Sequence, residues 1–134
     1  MPSRATKGSA GYDFFAVSDF TVNPGEERLV RIGIRCKIDE GYVLCIYPRS
    51  GLGFKYGVRL MNTVGIIDSD YYNADNEGHI AVKLYNPSDK PLCINKGEAF
   101  AQGIFTEFYL AEEEHVSTLR KGGFGSTSNI SKKG

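Results

Sequence analysis

Three short segments of the sequence carry side chains of the kinds that bind phosphate groups and activate water. The first, Arg49-Ser50-Gly51, offers a guanidinium, a hydroxyl and an unhindered backbone N–H group. Together these groups suit the oxygen atoms of a phosphate. Surface turns use the same residue types, so this tripeptide alone does not specify a phosphate site.

The second segment, Asp68-Ser69-Asp70-Tyr71, follows the apolar residues 64–67 and brings two carboxylates close together. Aspartates that follow a strand commonly stabilise a turn. They can also orient a water molecule for attack, or hold Mg²⁺ through its shell of water. Both interpretations stay open on these residues alone.

The third segment is glycine-rich and occupies residues 122–128 near the C-terminus. Its composition is typical of a flexible linker. Arg120 and Phe124 stand out, because an inert linker has no use for a guanidinium and an aromatic ring. Flexible segments that close over ligands have this make-up, so the sequence indicates either an inert tail or a closing arm.

The histidines and cysteines form no recognisable metal or catalytic set. His79 and His115 have no partner at metal-ligand or triad spacing, and we assign neither a role. Cys36, Cys45 and Cys93 are widely spaced and include no CxxC pair, which argues against a zinc site and a disulfide framework. Each is predicted to be a reduced thiol packed as a small hydrophobic side chain.

Composition limits the protein to one folded domain with no long-range charge preference. The chain has 134 residues, of which 41% are apolar, and its sixteen basic residues balance sixteen acidic ones. A balanced charge gives no field that attracts nucleic acid or an anionic membrane, so phosphate binding must be local. The apolar runs are too short to span a bilayer and no signal peptide opens the chain, which predicts a cytoplasmic protein.

Short strands punctuated by Gly, Pro, Asn and Asp must position these segments. Strands are predicted at residues 14–17, 27–38, 42–47, 63–67, 79–85, 91–94 and 100–108, with a helical turn at 51–56. This pattern is typical of an all-β sandwich, jelly roll or barrel. We predict a β domain over residues 1–119 and a flexible C-terminal arm over 120–134.

Five segments follow one another along essentially the whole chain: residues 10–16 (AGYDFFA), 48–53 (PRSGLG), 62–71 (NTVGIIDSDY), 97–102 (GEAFAQ) and 120–127 (RKGGFGST). Together and in this order they resemble the five motifs of the trimeric dUTPase family. The resemblance implies a jelly-roll-like β-clip or β-barrel subunit of a homotrimer with shared active sites. It also implies Mg²⁺-dependent hydrolysis of dUTP to dUMP and pyrophosphate by attack of water on the α-phosphorus.

The resemblance implies a role for each side chain of the nucleoside site. Asp68 would be the general base that holds the attacking water. Tyr71 would pack its ring on the deoxyribose, where a 2′-hydroxyl would clash. The uracil edge would be bound by Asn62 and by the backbone at Gly65, Ile66, Ile67 and Ala81. A hairpin this close to the base leaves no room for the 5-methyl group of thymine.

The triphosphate and its metal ion are assigned to other segments by the same resemblance. The phosphate groups would be bound by Arg49, Ser50, Gly51 and Gln102. Asp13 would face Mg²⁺ through water. In the arm, Phe124 would stack on the uracil, while Arg120, Gly125 and Ser126 would close on the nucleotide and its γ-phosphate.

The chain departs from the family pattern in four places. Only nine residues precede Ala10, so the N-terminal strand of the family is expected to be missing. Six residues, 72–77, stand before Gly78 where the family often has one, and they are predicted to lengthen a surface hairpin tip. Ala99 replaces a common arginine, and the fifth motif is one residue shorter after Arg120.

Two alternatives share the fold. A dCTP deaminase places a catalytic Glu three residues before the Asn that ends its strand; here that position is Lys83, which cannot do the work of a carboxylate. A non-catalytic relative that binds proteins need not retain Arg49, Ser50, Asp68 and Tyr71, and all four are present. The sequence does not indicate a regulatory protein partner.

Overall fold

The structure is a computed structural model that describes residues 1–112, 114, 116–120 and 122–123. The strands are β1 (Ser3–Arg4), β2 (Tyr12–Phe15), β3 (Phe20–Val22), β4 (Glu27–Arg31), β5 (Tyr42–Pro48), β6 (Arg59–Leu60), β7 (Gly65–Ile67), β8 (Ala81–Tyr85), β9 (Leu92–Ile94) and β10 (Ala99–Glu107). The helices are α1 (Ser50–Tyr56) and a 3₁₀ helix (Ser69–Asn73). The predicted all-β class is confirmed. Within these described ranges, no helix is long and apolar enough to cross a membrane.

The largest sheet has the strand order β1-β2-β10-β5-β7 and is antiparallel throughout. Its longest strand pairing joins residues 101–107 of β10 to residues 42–48 of β5. Gly103 lies inside this pairing, and a Cβ atom there would come within 2.9 Å of the ring of Phe14. Glycine therefore lets the core approach the sheet closely at this point.

Two smaller sheets, β3-β9 and β4-β8-β6, complete the fold around one hydrophobic core. The largest fully buried side chains come from all three sheets and the loops between them: Phe100, Ile46, Leu60, Ile80, Leu84, Leu92, Val22 and Asn86. The rings of Phe20 and Phe100 meet edge to face with centroids 5.5 Å apart. Each such apolar side chain contributes roughly 1.5–3 kcal/mol by its burial.

The strand predicted at residues 27–38 is interrupted, because Gly33 adopts a positive φ of 80° that a regular strand does not allow. The pairing continues irregularly around this glycine. The N–H of Ile32 donates to the carbonyl of Ile80 at 2.9 Å, and the N–H of Ile80 donates to the carbonyl of Ile34 at 3.0 Å. The segment therefore stays attached to the sheet edge while leaving strand geometry.

Three short strands, β1, β3 and β6, were not predicted, and β1 and β6 have only two residues each, too few to show periodicity. The nine residues before Ala10 contain only the two-residue strand β1, which pairs with β2. The helical turn predicted at residues 51–56 is confirmed as α1.

The hairpin tip predicted for residues 72–77 is wrong. The strands that flank them, β7 and β8, pair with other strands rather than with each other. The 3₁₀ helix begins this segment, and a tight turn ends it at Gly78, whose φ is 69°. A Cβ atom at Gly78 would lie 2.6 Å from the carbonyl oxygen of Tyr72, so the turn requires glycine. The segment folds back beside Tyr71 instead of projecting outward.

The cysteines are all free, but they do not all pack in the core. Cys45 is buried and Cys36 is half-buried, where burial raises the pKa of the Cys36 thiol and keeps it protonated at neutral pH. Cys93 is exposed, which corrects the prediction of a packed side chain. It is the central residue of β9, whose neighbours Leu92 and Ile94 point inward, so strand alternation turns Cys93 to the surface.

Candidate active site

A pocket with a volume of about 790 Å³ gathers eight of the residues that the sequence placed in a nucleotide site. Its walls come from the two-residue hairpin turn closed by the bridge between Leu60 and Thr63, from β7, and from the 3₁₀ helix and β8. The predicted residues that line it are Asn62, Gly65, Ile66, Ile67, Asp68, Tyr71, Ala81 and Arg120. The pocket also has lining residues that the sequence did not single out, among them Asn76, and His79, to which no role was assigned.

The hairpin that forms one wall is unusually tight. The N–H of Thr63 donates to the carbonyl of Leu60 at 3.0 Å, and Thr63 itself has a φ of 72°, which is costly for a β-branched residue. A Cβ atom on Gly65 would lie 3.1 Å from Cβ of Ile46, so this glycine lets β7 lie close against β5. In the described chain β7 pairs on one side only. Its other backbone edge faces away from β5 and offers N–H and C=O groups to a ligand.

Tyr71 forms the next wall and is almost completely buried, with 4% exposure. Its hydroxyl donates to the carbonyl oxygen of His79 at 2.6 Å and accepts from Nδ2 of Asn76 at 2.7 Å. Gly123 packs against the ring, since a Cβ atom there would lie 2.6 Å from Cε1. The ring is therefore fixed at its hydroxyl end and covered by the start of the predicted arm.

Arg120 joins the two carboxylates of the Asp68-Ser69-Asp70 segment. Its Nη2 lies 2.5 Å from Oδ2 of Asp68, and its Nε lies 2.7 Å from Oδ1 of Asp70. A third N–H donates to the carbonyl of Gly122 at 3.0 Å, and the arginine side chain is only 15% exposed. The resemblance assigned Arg120 to a phosphate; in the structure it binds these carboxylates instead. The guanidinium thus already lies next to Asp68.

The remaining predicted residues of the described chain form a second cluster, separate from the pocket. Nε of Arg49 lies 3.4 Å from Oδ1 of Asp13, a carboxylate that is 13% exposed. Gln102 stands opposite Asp13 in the β10–β2 pairing, and its Nε2 donates to the carbonyl of Pro48 at 3.4 Å. Two further predicted residues, Ser50 and Gly51, are exposed at the start of α1.

The strand register shows how far apart these two groups of residues lie. Ile67 is opposite Leu44, so the extended chain carries Asp68 toward the level of Val43. Arg49 comes six residues after Val43 and directly follows the end of β5. At about 3.3 Å per residue, Asp68 and Arg49 are roughly 20 Å apart within one chain. One subunit therefore does not bring them to the same phosphate group.

Three predicted site residues, Phe124, Gly125 and Ser126, lie outside the described residues. Among the described ones, no group of three or more His, Cys, Asp or Glu side chains is placed to hold a metal ion. Asp13 is the carboxylate of the second cluster, and it stands beside the cationic Arg49. This donor set fits a metal ion that is held mainly by phosphate oxygens and water.

Comparison with known proteins points consistently to one family. The dUTPase family model matches residues 1–129. The deoxyuridine 5′-triphosphate nucleotidohydrolase of Lactococcus lactis is 43% identical over 130 residues, which cover 95% of this chain and 87% of the relative. That of Nautilia profundicola is 42% identical over 132 residues, which cover 95% and 89%.

Solved structures agree on the fold. The crystal structure of dUTPase from Streptococcus mutans superposes with a TM-score of 0.77 at 37% identity, covering 84% of this chain and 88% of that one. A mutant dUTPase from phage phi11 of S. aureus, in which a structural Mg(II) ion is coordinated, gives a TM-score of 0.71 at 22% identity, covering 88% and 90%. The predicted fold class is confirmed by these neighbours.

Proposed function

Because the chain belongs to the dUTPase family, we propose that it hydrolyses dUTP to dUMP and pyrophosphate by attack of water on the α-phosphorus. The observation that carries this proposal is the pocket, which unites the hairpin edge, Asp68 and Tyr71 around a space suited to a nucleoside. The hairpin edge would recognise the base, Tyr71 would contact the sugar, and Asp68 would activate the water.

Base recognition is the task of the hairpin wall. The free edge of β7 presents alternating N–H and C=O groups, which match the alternating acceptors and donors along a pyrimidine edge. Asn62 adds a side-chain amide at the hairpin end, beside the strained Thr63. Because Gly65 holds the hairpin tightly on β5, the wall has little freedom to move back for a 5-methyl group.

Asp68 is the proposed general base. It lines the pocket and is half exposed, so both water and a phosphate can reach it. In the free chain its Oδ2 atom accepts a hydrogen bond from Nη2 of Arg120, so the guanidinium occupies this carboxylate oxygen. A triphosphate offers Arg120 a more highly charged partner, and transfer of the guanidinium to it leaves Asp68 able to orient the water.

The phosphate groups are proposed to bind the second cluster, made by Arg49, Ser50, Gly51 and Gln102. Since this cluster is roughly 20 Å from Asp68 along the strands of one chain, it has to come from a second copy. We propose a homotrimer with sites between subunits. Exposed apolar side chains in the described chain support an assembly: Phe54 is 91% exposed, and Phe105, Tyr109 and Leu110 are also exposed.

Mg²⁺ is the proposed cofactor, and Asp13 would hold it through water while the phosphate oxygens bind it directly. When bound, the ion withdraws charge from the triphosphate and so favours attack at phosphorus. Arg49 beside Asp13 adds positive charge to the same cluster. The enzyme is proposed to act in the cytoplasm.

Release of pyrophosphate from dUTP, UTP, dTTP and dCTP, with Mg²⁺ and with chelator, tests the proposal. We expect rapid hydrolysis of dUTP, strong discrimination against the other three, and loss of activity in chelator. Release of ammonia from dCTP, measured in parallel, would support the deaminase alternative, although Lys83 argues against it. Nucleotide binding without turnover, or no binding at all, would support a non-catalytic relative.

A further inference from the structure

The six residues 72–77, which the family pattern does not explain, place an amide against the side chain that selects the sugar. We propose that Asn76 is a positioning residue for substrate specificity: it holds the hydroxyl of Tyr71 so that this hydroxyl cannot bind a ribose 2′-hydroxyl. The inference rests on the proposed function, in which the Tyr71 ring packs on the deoxyribose. It assigns a use to a segment that otherwise only adds length.

Three hydrogen bonds in series fix the amide and the hydroxyl. The backbone N–H of Gly78 donates to Oδ1 of Asn76 at 3.2 Å, so the other end of the amide, Nδ2, must face Tyr71. Nδ2 then donates to the Tyr71 hydroxyl at 2.7 Å. The hydroxyl in turn donates to the carbonyl oxygen of His79 at 2.6 Å. The backbone donor at one end and the backbone acceptor at the other set the direction of the whole series.

This arrangement uses the hydrogen-bonding capacity of Tyr71 within the protein. A phenolic hydroxyl has one proton to donate, and that proton is directed at His79. Its oxygen accepts from Asn76. A 2′-hydroxyl packed against this ring would lose its water without gaining a partner, which is costly in a buried site. Discrimination against ribose then comes from the missing partner as well as from the clash with the ring.

The segment that carries Asn76 is itself held in place. The guanidinium of Arg35 lies 4.0 Å from the ring centroid of Tyr72, and its Nη1 donates to the carbonyl of Tyr72 at 3.4 Å. Ala74 is buried in the core cluster. Asn76 is therefore presented to Tyr71 by a segment anchored on both sides.

The test compares the preference for dUTP over UTP, measured as a ratio of kcat/KM, in matched variants. Asn76→Ala removes the donor that holds the Tyr71 hydroxyl, so this hydroxyl can shift and bind the 2′-hydroxyl of UTP. We expect the ratio to fall roughly 5- to 30-fold, the scale of one buried hydrogen bond, chiefly through better use of UTP. Asn73→Ala is the control, because Asn73 is exposed in the same segment and its side chain has no hydrogen bond within the described chain. Its ratio should equal that of the wild type.

Asn76→Asp separates specificity from local folding. A carboxylate still accepts from the N–H of Gly78 and so keeps the turn, but it has no proton to give to Tyr71. The added negative charge should weaken the binding of all nucleotides alike. The ratio of kcat/KM for dUTP to that for UTP should still fall, as in Asn76→Ala. In a Tyr71→Phe background, Asn76→Ala should change the ratio no further, since there is no hydroxyl to hold.

Affinities for dUMP and UMP, measured by calorimetry, apply the same test without turnover. They keep the result separate from the proposed reaction: a wild type that binds dUMP over UMP but hydrolyses nothing would refute hydrolysis and still test Asn76. If Asn76→Ala and Asn76→Asp lower the melting temperature while both preferences stay within twofold of wild type, Asn76 only supports the turn and the inference is wrong. An equal effect of Asn76→Ala with and without the Tyr71 hydroxyl would also overturn it.

Discussion

Asp68 is the single side chain on which turnover is expected to depend most. Asp68→Asn keeps the shape and the hydrogen-bonding oxygen, but an amide does not accept a proton from water at neutral pH. We expect kcat to fall at least about a hundredfold with little change in nucleotide affinity, the scale for loss of a general base. Steady-state kinetics with dUTP and calorimetry with a non-hydrolysable analogue measure the two parameters.

The neighbouring carboxylate provides the control. Asp70 pairs with the same arginine, Arg120, but does not line the pocket. Asp70→Asn should therefore change kcat only a few-fold. A similar loss in both variants would mean that the two carboxylates matter through Arg120, and Asp68 would no longer be the base.

Much of the pocket was predicted, the segment of Asp68 and Tyr71 from its residue types and the hairpin positions from the resemblance to the dUTPase family. Asp68, Tyr71 and the hairpin positions follow one another in sequence, so one segment carries their chemistry and the structure brings them together. Asn76 and His79 were missed because they act on Tyr71 through an amide and a backbone carbonyl. Neither contact can be recognised from the residue types in the sequence. The sequence did show six extra residues at 72–77, but only the fold shows that they turn back toward Tyr71.

At the scale of elements, Asn86 links the end of β8 to its neighbours. This fully buried amide donates to the carbonyls of Val22 at 2.9 Å and Lys90 at 2.8 Å, and accepts from the N–H and hydroxyl of Ser88. Asn86→Ala removes the donor to the carbonyl of the buried Val22 and the acceptor for the N–H of Ser88. We expect a loss of about 2–4 kcal/mol in the free energy of unfolding, measured by urea denaturation at fixed protein concentration. Asn95→Ala, at an exposed position, should cost less than about 0.5 kcal/mol.

The arm is the element whose removal should affect substrate use without affecting the fold. Gly123 covers the ring of Tyr71, and the resemblance expects Phe124 beyond it to stack on the base. Stacking worth about 1–3 kcal/mol corresponds to roughly 5- to 150-fold in kcat/KM. Ending the chain at residue 121 should produce a loss in this range with an unchanged melting temperature, whereas ending it at residue 129 should have no effect. Full activity of the shorter protein would show that the tail is an inert linker.

Strand positions were predictable to the extent that the strands are long and rich in buried residues. β5, β8 and β10 each have five or more residues, at least three of them buried, and each overlaps a predicted strand. The interruption at Gly33 was not predictable, because a glycine inside an alternating run does not by itself show which φ the chain will adopt. The short strands are defined by the partner they meet rather than by their own pattern.

At the scale of the whole molecule, the separation of Asp68 from Arg49 leads to a test of shared sites. If every site takes Asp68 from one subunit and Arg49 from another, two inactive variants should restore each other. Asp68→Asn and Arg49→Ala, each alone, are expected to be nearly inactive. When the two are unfolded together at equal amounts and refolded, about a quarter of the sites should receive both intact residues, since each subunit is drawn at random.

Activity of the mixture near a quarter of wild type, measured as pyrophosphate release per subunit, is therefore the expected result. The control mixes Arg49→Ala with Gln102→Ala. Arg49 and Gln102 belong to the same cluster of one chain, because Gln102 donates to the carbonyl of Pro48, the residue before Arg49. Every site in this mixture therefore contains one of the two changes, and no activity should return. Light scattering should give a trimer mass for every sample. If the first mixture is as inactive as its parts while the trimers form, each subunit completes its own site. The roughly 20 Å between the two clusters would then have to be closed within one chain.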